Sequence, residues 1–369
     1  MSMRKRITAA LVLAVLATAS GAQAQVWDKL RINGYGSLEF EKQVSDTSKG
    51  KGDKNGSFDA DGFDLVFNFT PVDRFRVAAD LTWEHGPATE EFRGNVAAEY
   101  AFAEYSVRDW LKVRGGKMFT PFSIYNEIHT AKPVFLSVKE PVSTNKIEKM
   151  GSTIRFYPRW GAGLAMLGNG QLSGKDWDYV VQVSNGEQRS AVATDEDYPN
   201  PFDTDNDTHK ALAARVRFHP ARSVVVGVSA YGDHFPEYDD TSAFMGSTTK
   251  LLSYGAFGTW DGRRAGVELE YVTGYYDPSE GARVSRYGLS AMAWANLGRV
   301  RPYLRYEAHD PDQDRADDQA HVVIGGLNVR VVHGLFVKAE LDAYGSGAKN
   351  TRFKGQSYTE FKASFSYGF

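Results

Sequence analysis

The sequence predicts an all-β fold, a transmembrane antiparallel β-barrel of about 16 strands, even in number as single-chain bacterial barrels are. Three observations predict it. Short segments alternate apolar and polar residues along almost the whole chain, the period of a strand with one apolar and one wet face. The connections between them alternate between short and long, the asymmetry of a barrel with tight turns at one end and long loops at the other. The final stretch, Thr359 to Phe369, sets Phe361, Ala363, Phe365, Tyr367 and Phe369 against Glu360, Lys362, Ser364 and Ser366 without a break.

Composition bounds the function. The 369 residues carry a formal net charge of -3, 13% aromatics, 36 glycines and no cysteine. A charge so near balance gives no bulk case for nucleic acid. The lack of cysteine excludes thiolate catalysis and disulfides, and it suits a chain exported to an oxidising compartment. After the N-terminal segment no apolar run is long enough for a spanning helix.

That segment reads as a signal peptide over residues 1–24. Arg4, Lys5 and Arg6 form the basic end, Ala9 to Ala19 the apolar middle, and Gly21-Ala22-Gln23-Ala24 the small-residue cleavage site. A membrane anchor is the other reading, but the apolar run is short and ends in small residues. Residues 25–369 then form the barrel.

The elements follow in order. A first strand near Ile32–Phe40 should close onto the last. Phe63, Leu65, Phe67 and Phe69 share one face of the next strand. After the rigid turn Thr70–Arg74, Phe75, Val77, Ala79, Leu81 and Trp83 share one face of its partner. The same grammar recurs at Lys210–His219, Val224–His234, Leu251–Trp260, Arg264–Tyr275, Arg286–Asn296, Val300–His309, His321–Val331 and Leu335–Gly345. Short connections are Thr70–Arg74, Arg108–Lys112, His219–Ser223, Asp261–Arg263, Leu297–Arg299 and Val332–Gly334. Long ones are Val44–Ser57, Gly86–Asn95, Gly186–Thr208, Phe235–Lys250, Tyr276–Ser285, Asp310–Ala320 and Ser346–Gln356. Between Lys112 and Gly186 four short strands or three longer ones can be drawn. A strand at Gly151–Pro158 would break the short/long alternation, which leaves Val113–Phe119, Trp160–Gly168 and Trp177–Asn185, with Thr120–Pro158 as one long loop. A soluble sandwich is the alternative architecture, but its two loop ends would not differ so consistently. Trp110, Trp177 and Trp260 at the short turns, and Trp83 at the other end, read as aromatic girdles.

With these residues in hand the chain resembles a Gram-negative outer-membrane porin. The resemblance is carried by the terminal Tyr367-Gly368-Phe369, the cleavable leader, and the segment from Gly115 to His129, in which Gly116-Lys117 precedes Phe119-Thr120-Pro121-Phe122. It is similar in this to the superfamily that includes the phosphate-selective porins O and P. The resemblance implies an outer-membrane diffusion channel for small hydrophilic solutes or anions, surrounded by lipid and lipopolysaccharide and assembled as a homotrimer. It implies that Tyr367 and Phe369 are read by the barrel-assembly machinery. It also implies that the third long loop, Thr120–Pro158, folds into the pore and narrows it. The expected constriction set is Lys117, Glu127, Lys132, Lys139, Glu140, Lys146, Lys149 and Arg155, with Arg215, Arg217, Arg286, Arg301 and Arg305 on the barrel wall. The loop is net cationic, so a weak anion preference follows. The inward-facing charges are mixed in sign, a departure from the dense basic ladder of phosphate-selective porins.

Other chemistry is thinner. Glu127 and His129 lie close in sequence, but no nucleophile or third partner accompanies them. The acidic stretch from Asp310 to Asp318 starts like a calcium loop, yet Arg315 stands where a glycine is needed and His321 where a glutamate is needed. The acidic residues Asp195, Glu196, Asp197, Asp203, Asp205 and Asp207 fall in another long loop. No metal, cofactor or enzymatic role is expected. The alternative reading is a surface receptor or adhesin barrel whose acidic loops meet a partner.

Overall fold

Sixteen antiparallel strands close on themselves, each hydrogen-bonded to its sequence neighbours and the last to the first. The computed structural model describes residues 28–45, 55–84, 96–128, 130–152, 154–186, 208–238 and 244–369. The expected leader, His129 and the acidic stretch Asp195–Asp207 lie outside the described residues.

The strands are β1 Leu30–Gln43, β2 Ser57–Val72, β3 Phe75–Glu84, β4 Val96–Arg108, β5 Leu111–Phe119, β6 Trp160–Leu172, β7 Lys175–Ser184 and β8 Ala211–Ala221. They continue as β9 Val224–Tyr238, β10 Phe244–Asp261, β11 Ala265–Asp277, β12 Val284–Ala295, β13 Val300–Asp310, β14 Ala320–Val332, β15 Leu335–Ser346 and β16 Tyr358–Gly368. Three longer strands, not four, fill the stretch from Lys112 to Gly186, and Gly151–Pro158 is not a strand. One expected loop is corrected. Phe235–Tyr238 and Phe244–Lys250 are strand, with Pro236 opposite Thr248 and a register shift between Phe244 and Thr248. The polar residues there looked like a loop because a hairpin that projects beyond an apolar belt needs no apolar face.

Alternation sets the two faces. On β13, Leu304 and Tyr306 face outward and are exposed, whereas Tyr303, Arg305, Glu307 and His309 face the lumen and are buried. On β16, Phe361 and Phe365 face out while Glu360, Lys362 and Ser364 face in. β14 is apolar on both faces, with Val322 and Ile324 inward and Val323 and Leu327 outward. In hydrocarbon an unpaired backbone group costs several kcal/mol, so only a closed sheet satisfies every strand. Closure is made by β1 against β16, from Tyr35 opposite Gly368 to Gln43 opposite Glu360. At the rim the Phe369 N–H donates to the Gly34 carbonyl at 2.8 Å, and the Gly34 N–H to the Phe369 carbonyl at 3.0 Å.

Candidate functional site: the lumen loop and the wall it leaves open

The connection between β5 and β6, residues 120–159, carries three short 3-10 turns and lies against the lumen face of the barrel. Two apolar seats hold it. Phe122, Ile147, Phe156 and Tyr157 pack with Ala211, Ala213, Tyr231, Phe235, Leu251 and Val272 from β8 to β11. Met150, with Leu136 and Val142, packs with Met292, Tyr303, Val322, Ile324, Tyr344 and Tyr358 from β12 to β16. These inward apolar residues on strands that otherwise wet their inner face are accounted for by this burial.

Between the seats, charged wall residues meet the loop's backbone. The Arg215 guanidinium donates to the Ser123 carbonyl at 3.2 Å and pairs with Glu127. Arg286 donates to the carbonyls of Ile154 and, at 2.6 Å, Arg155. Arg305 donates to Ser137 Oγ at 2.6 Å and the Lys139 carbonyl at 3.0 Å, and it forms an ion pair with Glu307 at 2.8 Å. Glu307 accepts the Ser143 N–H at 2.8 Å, and Glu340 the Val138 N–H at 3.0 Å. Lys338 donates to the carbonyls of Lys132 at 2.6 Å and Ser137 at 3.0 Å. A loop within a barrel cannot reach bulk water with every backbone group, so wall side chains satisfy them.

The loop's own charges are divided among three places. Lys132 and Lys139 reach the carboxylates of Glu39 and Asp61, with Lys132 3.1 Å from Asp61 and Lys139 2.5 Å from Glu39. Burial opposes their charge, but those carboxylates outweigh it and hold both ammonium groups above the ordinary lysine range. Glu140 is buried between Lys146 at 3.0 Å and Arg159 at 3.1 Å. Arg155 pairs with Glu148 at 3.3 Å. Lys149 is pushed down from the lysine range by burial and then by Arg352 and Lys146.

The wall candidates separate. Arg215, Arg286 and Arg305 are buried beneath the loop, at 3%, 0% and 1% exposure. They are braces on this geometry rather than charges presented to a passing solute. Arg217 lies nearer the short-turn end and binds Asp178 at 2.8 Å, beside His219. Arg301 lies exposed at that end, next to Asn296 and the turn after β10. Lys117 sits in register between Ala101 and Ala162, just past Gly116, whose φ is 139°. It is buried, donates to the Ala98 carbonyl at 2.5 Å and lies 4.9 Å from the Trp160 ring centroid.

Two braces were not foreseen from sequence. Asn350, in the connection between β15 and β16, is buried and donates to the carbonyls of Met150 and Asp318 at 2.9 and 2.7 Å. Gly288 lets the loop touch β12: a Cβ there would lie 1.9 Å from the Ser143 carbonyl oxygen. Gly288→Val is expected to displace the loop at Ser143, at a cost of about 1–3 kcal/mol of overpacking. Faster proteolysis within residues 138–150 of the folded barrel, compared with the unaltered chain, would reveal it; an unchanged digestion pattern would count against the contact.

Among the described residues, the loop's hydrogen bonds and ion pairs to barrel strands go to β1, β2 and β8 to β15, and none to β3–β7. The lumen face of β3–β7 is open only toward its short-turn end, where the side chains of Arg76, Arg114 and Asp178 are partly exposed, while Glu104, Asp80, Thr82, Met118 and Gln182 are buried.

No protein-family model matches the chain, and no curated protein sequence matches it. Among solved structures the chain is similar to the outer-membrane OmpT of Vibrio cholerae, with TM-score 0.61 and 10% identity over 92% of this chain and 97% of that one. It is similar to an anion-selective porin from Comamonas acidovorans, with TM-score 0.63 and 10% identity over 92% and 99%. It is also similar to OprB of Pseudomonas putida, with TM-score 0.60 and 10% identity over 95% and 96%. At such identity the likeness establishes the fold, a 16-strand antiparallel closed barrel of the outer-membrane porin type.

Proposed function

We propose that the chain is an outer-membrane porin, a water-filled channel for passive diffusion of small hydrophilic solutes and ions with a weak preference for anions. The observation that carries this reading is the loop at 120–159, braced to one side of the lumen, with Arg76, Arg114 and Asp178 on the facing strands β3, β5 and β7 left partly exposed. An apolar outer wall and a charged inner wall are what lipid outside and water inside require. The loop narrows the lumen, and its cationic groups Lys146, Lys149 and Arg155, with Arg76, Arg114 and Arg217 on the open wall, bias entry toward anions. The leader over residues 1–24 directs export, the barrel-assembly machinery reads Tyr367 and Phe369, lipopolysaccharide and lipid surround the barrel, and the protein assembles as a homotrimer. The narrower kinship with the phosphate-selective porins O and P rests on the Gly-Lys and Thr-Pro-Phe residues alone, and the mixed lumen charge speaks for a general channel instead.

Purified barrel in a planar bilayer is expected to give stepwise ion conductance, and a salt gradient a reversal potential displaced toward the anion side. An electrically silent folded barrel would overturn the channel, and a reversal potential favouring cations would overturn the anion preference. Silence would also turn attention to the receptor reading of the acidic loops.

A further inference from the structure

Near the short-turn end of the open wall, two guanidinium groups flank one phenyl ring. The Arg114 Cζ lies 4.1 Å from the Phe102 ring centroid and the Arg76 Cζ 5.3 Å from it. Both converge on a single carboxylate oxygen, Glu104 Oε2. Arg114 Nη2 is 2.7 Å from it, Arg114 Nε 3.0 Å and Arg76 Nη2 3.3 Å. At Glu104 one carboxylate meets two guanidiniums, while Asp80 and Asp64 stand near Tyr100 together with the two arginines.

Donors remain for a ligand. Arg76 Nη1 has only a long 3.4 Å contact to Asn68, and Arg114 Nη1 meets no described acceptor. The Arg76 side chain is 38% exposed and that of Arg114 18%. Tyr100 stands one pleat along the same strand face, its ring stacked on Phe102 at 5.5 Å between centroids and 30° between planes. Its own edge meets Phe119 at 5.5 Å. Guanidinium forks match a carboxylate in plane, and both guanidinium and tyrosine faces accept a flat apolar ring.

We propose that Arg76, Arg114, Phe102 and Tyr100 form a docking subsite for small carboxylates that carry a planar ring, on the lumen wall beyond the loop at 120–159. The carboxylate takes the outward donors of the two arginines, and the ring lies on the Tyr100–Phe102 stack. A simple aliphatic anion would gain the charge but not the stack. An aromatic cation would gain the stack but meet the like charge. The proposal rests on the porin reading, since solute must reach the lumen, but it is tested apart from conductance.

The test is calorimetric titration of the purified, folded full-length barrel in detergent with benzoate, acetate and benzylammonium, each corrected against empty micelles. Saturable binding is expected for benzoate alone. Arg76→Gln leaves Glu104 paired with Arg114, so the wall keeps its ion pair. That variant is expected to weaken benzoate binding about tenfold, the loss of one charge-assisted hydrogen bond. Arg114→Gln gives the reciprocal case, with Glu104 held by Arg76. Acetate binding as tightly as benzoate, benzylammonium binding as tightly, or Arg76→Gln and Arg114→Gln both binding benzoate unchanged would each overturn the subsite. A conducting barrel that binds no benzoate would sink the subsite and leave the porin reading standing.

Discussion

Arg305→Ala is expected to destabilise the barrel by about 3–5 kcal/mol, the usual cost of leaving a buried charge without its partner. The reason is local. Arg305 and Glu307 are 1% and 0% exposed and lie 2.8 Å apart. Without the guanidinium, Glu307 keeps the Ser143 N–H, while Ser137 Oγ and the Lys139 carbonyl lose their donor. The loop should therefore loosen at its middle. The urea midpoint of the heat-modifiable folded band should fall, and open-channel current should become larger and noisier. The double replacement Arg305→Met with Glu307→Leu removes both charges and should recover most of the stability, because an apolar pair of similar volume has no desolvation cost to repay. An Arg305→Ala barrel with an unchanged urea midpoint would show that the brace contributes nothing.

Deleting Phe369 is expected to lower the amount of assembled barrel severalfold while synthesis and export continue. The residue's two backbone hydrogen bonds to Gly34 are the last rungs of the ladder that closes the sheet. Its ring, 64% exposed, stacks on Phe63 at 6.4 Å and lies over Gly34. A Cβ at Gly34 would come 2.4 Å from Phe369 Cζ and 2.8 Å from the Asp64 carbonyl oxygen, so Gly34→Val should impair closure from the other strand. An unclosed rim exposes unpaired backbone to lipid and to other chains. Quantifying folded barrel in outer-membrane fractions checks both variants. Normal levels after the deletion would contradict the closing role.

The strands were largely legible because their outward faces answer to a single demand. Every residue facing hydrocarbon must be apolar, so Phe63, Leu65, Phe67 and Phe69, or Phe361 to Phe369, announce their period whatever lies on the far side. The signal fades where that demand stops. β9 and β10 extend past the apolar belt to Tyr238 and from Phe244, and their polar ends read as loop. It also fades where the inner face has a reason to be apolar. β14 carries Val322 and Ile324 inward because Met150 and Phe353 pack on them, so its run of apolar residues hides its alternation. The loop at 120–159 was located by the rule that short and long connections alternate, not by any pattern within it.

The candidate site was legible as a set of charges and illegible as a set of roles. Lys132, Lys139, Glu140 and Arg155 do lie on the lumen loop, and Arg215, Arg286 and Arg305 do face inward. Counting their signs could not say which of them meet backbone carbonyls, which meet one another and which meet water. Arg215, Arg286 and Arg305 turn out to be braces, because the loop lies against their strands. Arg76, Arg114 and Arg217 keep partly exposed guanidiniums near the short-turn end, away from the loop.

Sequence alone determined the barrel, its strand order and its closing pair, since these follow from a period of two and from the length of each connection; that the long loop enters the barrel was implied only by the resemblance to porins. Tertiary structure alone decided which lumen charges brace the loop and which wall remains open. That division depends on the side of the lumen against which the loop packs, through Phe122, Ile147 and Met150 and their partners on distant strands, and no local pattern encodes a contact between residues so far apart in the chain.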